Sequence, residues 1–171
     1  MAVLVAPLAA QAQRPTALRT VLTAGLVAGF LDGLDAVVFI GWIKGIAVER
    51  VFQFIASGAL GVRAFHGGVA AAALGVVFHF TVAICAATVF YLLTRRWTWP
   101  LRAPFVAGPI YGFGVFVFMH YLVVPLSAAP KQPPASVGSI VNLIFSHVFF
   151  VGIPIALITR RANTSDQERS W

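Results

Sequence analysis

Two carboxylates lie inside a long apolar stretch near the start of the chain. Asp32 and Asp35 belong to a run from about Leu18 to Ile43. That run is long enough to cross a bilayer, for which ~20 residues are needed. A carboxylate near the centre of a membrane helix costs roughly 2.5–3.5 kcal/mol on insertion scales. We therefore expect polar side chains from other helices to face these aspartates, which share one side of their helix because they are three residues apart.

The candidate partners are histidines in three other apolar runs, namely His79, His120 and His147. At a rise of ~1.5 Å per residue, all of these carboxylates and imidazoles lie about 8 to 18 Å from the same end of their runs. The other polar candidates are Tyr111 in the third run and a stripe at i, i+3 and i+7 in the fourth run, formed by Ser139, Asn142 and Ser146. The sequence therefore predicts one polar cluster to which four helices contribute.

Three interpretations of this cluster are open. In the first, the polar side chains satisfy the aspartates and hold the bundle together, since such groups act as weak glue between membrane helices. In the second, the cluster is a pathway for protons or a cation, because intramembrane carboxylates and histidines mark such pathways. In the third, His79, His147 and Asp32 hold a metal ion or haem, since imidazoles and carboxylates are common ligands.

Hydrolytic catalysis is the least favoured reading. Ser146 directly precedes His147, and neighbouring residues of a helix point ~100° apart, which makes a poor nucleophile and base pair. We expect no catalytic residues.

Composition indicates a membrane protein. The chain of 171 residues is 60% hydrophobic and 10% charged, whereas soluble domains are about 45–50% apolar and about 25% charged. The net charge of +7 does not indicate a nucleic-acid partner, because the basic residues lie at the ends of apolar runs and form no stripe along one face.

The apolar runs predict an all-α bundle of four membrane-spanning helices. The predicted spans cover about residues 18–43, 67–94, 103–124 and 137–159. Residues 48–60 have apolar positions at helical spacing beside charged ones, which predicts an amphipathic helix at the interface or over the mouth of the bundle. Residues 1–17 and 162–171 are expected to be tails, and Pro154 is expected to kink the last span.

The basic residues also predict the orientation. Arginine pairs end the second and fourth spans at positions 95–96 and 160–161, and fewer basic residues lie on the opposite side, among them Lys44. Because basic residues concentrate on the cytoplasmic side, both termini are expected to face the cytoplasm.

Small residues recur at the same spacing in the first and third spans. The pattern A-G-x-x-x-G-x-x-x-x-V-F occurs at residues 28–39 and again at 107–118. It indicates either two parallel hairpins related by an axis along the membrane normal, or the small residues common in any membrane helix. The glycines expected at helix contacts, within the chain or between copies, are Gly25, Gly29, Gly33, Gly108 and Gly112.

A set of short motifs is spread over residues 65–161. It comprises Phe65-His66-Gly67, Phe78-His79, Gly108-x-x-x-Gly112 with His120 and Pro125, the run from Phe145 to Phe150, and Arg160-Arg161. These motifs resemble those of the YagU-like family of small bacterial inner-membrane proteins, while the first span lies outside the resemblance. The resemblance implies a bacterial inner-membrane location, a helical bundle and a part in acid tolerance.

These observations predict a non-enzymatic integral membrane protein whose Asp/His cluster handles protons or a cation. The alternatives are a redox subunit that binds haem or a metal ion, and a structural accessory subunit of a larger membrane complex. Proton or cation handling requires no cofactor. The expected partners are the lipid bilayer and either a second copy of the chain or that larger complex.

Overall fold

The helices account for nearly all of the structure. The computed structural model describes residues 17–131 and 135–167, with side chains as far as Asn163. Four helices in this part of the chain are long and apolar enough to cross a membrane, and we call them spans 1 to 4: Ala17–Ile43, Gly68–Arg96, Pro104–Leu126 and Val137–Asn163. No strand occurs within the described ranges. The predicted all-α membrane fold is therefore confirmed.

Several spans are built from more than one helical segment. In chain order the helices are α1 (Ala17–Ala36), α2 (Val48–Leu60), α3 (Gly68–Arg96), α4 (Trp99–Arg102), α5 (Pro104–Phe118), α6 (Val124–Leu126), α7 (Val137–Ser146) and α8 (Ile153–Gln167). π-helical segments cover Val37–Ile43, Met119–Val123 and His147–Gly152, and a 3-10 helix covers Gly61–His66.

Prolines explain two of the three π-helical segments. Pro125 follows the segment in span 3, and Pro154 follows the segment in span 4. A proline has no N–H and its ring collides with the carbonyl four residues earlier, so the preceding turn widens. The N–H of Ile153 accordingly donates to the carbonyl of Val148, five residues earlier. The distortion expected at Pro154 takes this form.

The last helix is longer than predicted. It continues to Gln167. The prediction of a C-terminal tail that begins at Ala162 is therefore wrong for residues 162–167. The remaining part of that predicted tail, residues 168–171, and residues 1–16 of the predicted N-terminal tail lie outside the described residues.

The four spans form two pairs. Span 1 packs on span 2, span 3 packs on span 4, and the pairs join where span 1 meets span 4. Because the chain crosses back and forth, the bundle has a Lys44 end, where spans 1 and 3 finish and spans 2 and 4 begin, and an opposite Arg96 end. Large apolar side chains such as Phe30 and Ile110 face outward, each 61% exposed. Such a surface suits lipid.

Toward the Arg96 end the interior is apolar. A cluster of buried side chains joins spans 1, 2 and 4 there, and consists of Val21, Ala24, Ala28, Ala87, Phe90, Val151, Ile155 and Ala156. Most of these side chains are small, which allows the helix backbones to approach closely in a setting where packing is the main attraction.

The glycines predicted at helix contacts lie inside the chain's own interfaces. A Cβ atom at Gly25 would lie 2.6 Å from Cα of Ile84, and one at Gly112 would overlap the main-chain carbonyl of His147. Gly29 and Gly33 face span 2, and Gly108 faces Gly152 of span 4. These contacts close each helix pair, so the same glycine faces are not free for contacts with a second copy.

Helix α2 lies across the Lys44 end and is packed with its small and polar residues inward. Val51, Gln53, Ala56 and Ser57 are buried, while Val48 and Ala59 of the predicted apolar side are exposed. The main-chain N–H of Ala128 donates to the carbonyl of Gly58 at 2.9 Å, which ties α2 to the end of span 3. The predicted helix is present, and its buried side consists mostly of small and polar residues, since small residues favour close helix contacts in a membrane.

We expect Gly112→Ala to separate spans 3 and 4. Its methyl group would meet the carbonyl oxygen of His147, and overpacking of this kind costs about 1–3 kcal/mol or more. Thermal unfolding in detergent micelles measures the loss. The matched control is Gly114→Ala in the same helix, where nothing lies within 4 Å of an added Cβ. An equal effect of the two substitutions would contradict this account of the interface.

Candidate functional site

Asp32 is the centre of a cluster formed by spans 1, 2 and 4. Its side chain is 20% exposed. The hydroxyl of Ser146 donates a hydrogen bond to Oδ1 of Asp32 at 2.6 Å. His79 and His147 lie on either side of the carboxylate, and we call these four residues the Asp32 cluster.

The two histidines face different oxygens of the same carboxylate. Nε2 of His79 lies 4.0 Å from Oδ2 of Asp32, and Nδ1 of His147 lies 4.0 Å from Oδ1. The imidazole side chains are 13% and 16% exposed. The carboxylate of Asp32 thus lies between two imidazole rings that come from two other spans.

Main-chain carbonyls determine which imidazole nitrogens carry hydrogen. Nε2 of His79 lies 2.8 Å from the carbonyl oxygen of Gly29, and Nδ1 of His147 lies 2.9 Å from that of Leu143. A carbonyl oxygen only accepts, so each of these nitrogens must be the N–H donor. The N–H group that faces Asp32 on each ring is therefore also the one held by the backbone.

Glycines make room for both rings. A Cβ atom at Gly33 would lie 3.2 Å from Nε2 of His79, and Gly112 lies against the main chain of His147. Gly33 and Gly112 occupy equivalent positions in the pattern that recurs in spans 1 and 3. Each helix pair therefore places a histidine beside a glycine at the same point of the repeat, and both histidines face Asp32.

A second carboxylate lies closer to the Lys44 end. Oδ2 of Asp35 accepts a hydrogen bond of 2.8 Å from Nδ2 of Asn142. Nearer still to that end, Nζ of Lys44 bonds the hydroxyls of Ser136 and Ser139. With Ser146 these side chains form what we call the polar line: Lys44, Ser136, Ser139, Asn142, Asp35 and Ser146. Its three hydrogen-bonded groups follow one another along span 4 from the Lys44 end to Asp32.

Aromatic rings enclose the two histidines. Phe52 and Phe80 make edge contacts with His79, with ring centres 6.5 Å and 5.5 Å away. Phe116 contacts His147 at 6.0 Å. These rings form apolar walls beside the imidazoles, and Phe52 comes from α2, so α2 contributes to the surroundings of His79.

Two predicted residues lie apart from the cluster. His120 stacks on Phe116 at 5.5 Å between ring centres, so one aromatic ring separates it from His147. The hydroxyl of Tyr111 donates to the carbonyl of Ala86 at 2.6 Å, and its ring meets Phe90 beside the apolar core. Tyr111 therefore has no contact with Asp32 and links span 3 to span 2.

The cluster is not arranged for nucleophilic catalysis. Ser146, His147 and Asp32 lie together, but the serine hydroxyl donates to the carboxylate. A serine nucleophile requires an imidazole nitrogen as the acceptor of its proton.

The donor set also does not fit a metal ion in this arrangement. A metal ligand needs a nitrogen lone pair, and the nitrogens nearest Asp32 carry hydrogens that point to carbonyls. Among the described residues, no group of three or more His, Cys, Asp or Glu side chains is placed to hold a metal. The carboxylate also lies between the two imidazoles where a haem would have to fit.

Some parts of the site are not visible in the residue pattern. The carbonyls of Gly29 and Leu143, the ring of Phe52 and the position of Lys44 at the mouth of the polar line depend on how the helices pack. From the sequence, Lys44 is expected only at the membrane boundary that ends span 1. Span 4 begins at the same boundary, and this shared end is the one sequence signal for its contact with Ser139.

Comparison with known proteins does not add a relative. No protein family, curated protein or solved structure matches this chain. The function must therefore be argued from the site itself.

We expect Asp32 and Ser146 to be energetically coupled. In a double-mutant cycle of Asp32→Ala and Ser146→Ala, the coupling should be about 0.6 to 1.7 kcal/mol, the range found for hydrogen bonds between membrane helices. Unfolding free energies of the four proteins in detergent measure it. The control cycle replaces Ser146→Ala by Thr88→Val, because the Thr88 hydroxyl donates within its own helix to Ile84. If the effects are additive in both cycles, the hydrogen bond between Ser146 and Asp32 does not contribute to stability.

Proposed function

We propose that this protein handles protons in a bacterial inner membrane, with Asp32, His79 and His147 as the groups that exchange them. The observation that carries the proposal is the position of one carboxylate between two imidazole N–H groups, each 4.0 Å away, inside a span. A part in acid tolerance, which is the expectation from the motifs in residues 65–161, belongs to the same proposal.

The groups around Asp32 favour a proton over a larger cation. A bound metal cation would need several oxygen lone pairs around it. Asp32 instead accepts a hydrogen bond from one O–H group, and the ring N–H groups beside it donate to the nearest carbonyls, those of Gly29 and Leu143. A proton needs only the carboxylate and the imidazoles themselves.

The polar line supports access from one side only. It leads from Lys44 past Asn142 to Ser146 at Asp32. On the other side of Asp32 the buried cluster of spans 1, 2 and 4 is apolar. We infer that protons reach Asp32 from the Lys44 end, and that movement to the Arg96 end requires the helices to shift.

We assign the Lys44 end to the outside of the cell. The arginine pairs at residues 95–96 and 160–161 lie at the opposite end, where the excess of basic residues indicates the cytoplasm. Both termini are then cytoplasmic, and the cluster would sense or take up protons from outside.

One observation favours a structural role as a second candidate. The contacts of Asp32 join spans 1, 2 and 4, so the cluster also fastens the two helix pairs together. In that case the chain would be an accessory subunit whose polar groups only stabilise it.

We expect Asp32→Asn to abolish proton movement without loss of the fold. The amide oxygen still accepts the bond from Ser146, but the side chain no longer takes up a proton. The assay uses vesicles that contain the purified protein and a pH-sensitive dye, with an imposed membrane potential. Flux should fall to the level of vesicles without protein.

The control for this experiment is Tyr111→Phe. It removes the hydrogen bond to the Ala86 carbonyl, which lies within the spans but away from Asp32. The thermal stability should therefore fall, while the proton flux should stay at the wild-type level. Wild-type flux in Asp32→Asn would remove Asp32 from the pathway. If that variant also unfolds at a lower temperature, the structural role is favoured.

The absorbance spectrum of the purified protein tests the haem alternative. We expect only the ultraviolet absorption of the aromatic residues, because a carboxylate lies between the two imidazoles. A Soret band would show that haem binds and would overturn the proton proposal in its present form.

A further inference from the structure

A second polar site lies at the Lys44 end, apart from the Asp32 cluster. A cavity of about 350 Å³ opens between the first turns of α2 and the 3-10 helix Gly61–His66. Its polar lining includes Glu49, Arg50, Gln53 and His66, and we call it the α2 cavity. The proton pathway proposed above does not use any of these residues.

Hydrogen bonds hold the two opposite charges of this cavity in place. Nε2 of Gln53, a residue only 2% exposed, donates to Oε1 of Glu49 at 2.7 Å and to the carbonyl of Gly68 at 3.1 Å. The guanidinium of Arg50 lies 5.6 Å from the centre of the Phe65 ring and donates to the Phe65 carbonyl at 3.4 Å. The carboxylate and the guanidinium are thus positioned by separate partners and do not neutralise each other.

Each charged group has capacity left for a ligand. In the described part of the chain, Glu49 uses one carboxylate oxygen in the bond to Gln53, and Arg50 uses one of its terminal nitrogens. A guanidinium has five N–H groups and suits phosphate oxygens, and a carboxylate with a free oxygen suits an ammonium group. The side chain of His66 is a further polar group beside them.

The cavity lies at the level where lipid headgroups are found. Span 2 begins at Gly68, which lines the cavity. Val69 directly follows Gly68 and is 76% exposed, and Val62 lies one turn of the 3-10 helix before Phe65 and is 63% exposed. A ligand in this place therefore meets charges of both signs at one end and an apolar surface at the other.

We propose that the α2 cavity binds the headgroup of a phospholipid that carries a primary amine, as in phosphatidylethanolamine. The phosphate accepts hydrogen bonds from Arg50 and His66, and the ammonium group donates to Glu49. The acyl chains lie against the exposed valines. Phosphatidylcholine lacks N–H groups to donate, and phosphatidylglycerol has no cation for Glu49, so the charge pattern selects the amine.

The first test compares lipids on the wild-type protein. Native mass spectrometry of the detergent-purified protein is used with short-chain phosphatidylethanolamine, phosphatidylcholine and phosphatidylglycerol, and with soluble glycerophosphoethanolamine. Phosphatidylethanolamine should be retained most strongly. Equal retention of the three lipids would overturn the proposal, and so would equal binding of the soluble compound, since that would show that the acyl chains take no part.

Substitutions then assign the site. Arg50→Gln and Glu49→Gln should each weaken phosphatidylethanolamine binding by about threefold to fivefold, the upper part of the range for exposed charge pairs. Glu49→Gln should also reduce the preference over phosphatidylcholine, because only the amine contact is lost. The control is Lys131→Gln, an exposed charge in the loop between spans 3 and 4. Unchanged binding in both cavity variants would overturn the proposal, and if a variant does not fold, the lipid comparison on the wild type decides alone.

Discussion

A charged or protonated carboxylate inside a membrane helix has to be satisfied by the protein itself. Hydrocarbon supplies neither donors nor acceptors, so the position of Asp32 dictates what surrounds it. The protein meets this need with a hydrogen bond from one hydroxyl, and it places two imidazole rings from two other spans within 4.0 Å of the carboxylate. The same contacts bring spans 1, 2 and 4 together, so the demand of one side chain also shapes the packing of the bundle.

The close approach of backbones makes this arrangement possible. Gly33 leaves space for the ring of His79, and Gly112 lets span 3 lie directly on the main chain of His147. With any larger residue at these positions, the helices would separate and the imidazoles would move away from the carboxylate. The π-helical segment that begins at His147 widens the backbone at the same point, and such segments are frequent at functional sites. Packing and site geometry are thus products of the same small residues.

The bundle is polar on one side of Asp32 and apolar on the other. Lys44, Asn142 and Ser146 connect the carboxylate with one end, whereas buried residues such as Phe90 and Ile155 fill the interior toward the other. Helix α2 lies over the polar end, with Phe52 against His79 and with Glu49 and Arg50 at the α2 cavity. The two halves of the interior therefore differ in polarity, and Asp32 lies at the boundary between them.

Hydropathy and spacing by themselves determined the class of protein, the four spans and the candidates for the polar cluster. Apolar runs of membrane length have few alternatives to helices, and a carboxylate within one requires partners at the same depth, so Asp32, His79, His147 and Ser146 could be named from the chain alone. Only the tertiary structure decided that Tyr111 serves the core, that α2 turns its small residues inward, and that backbone carbonyls orient both imidazoles. These features depend on which helix faces meet, and main-chain acceptors and helix rotation leave no mark in the pattern of side chains.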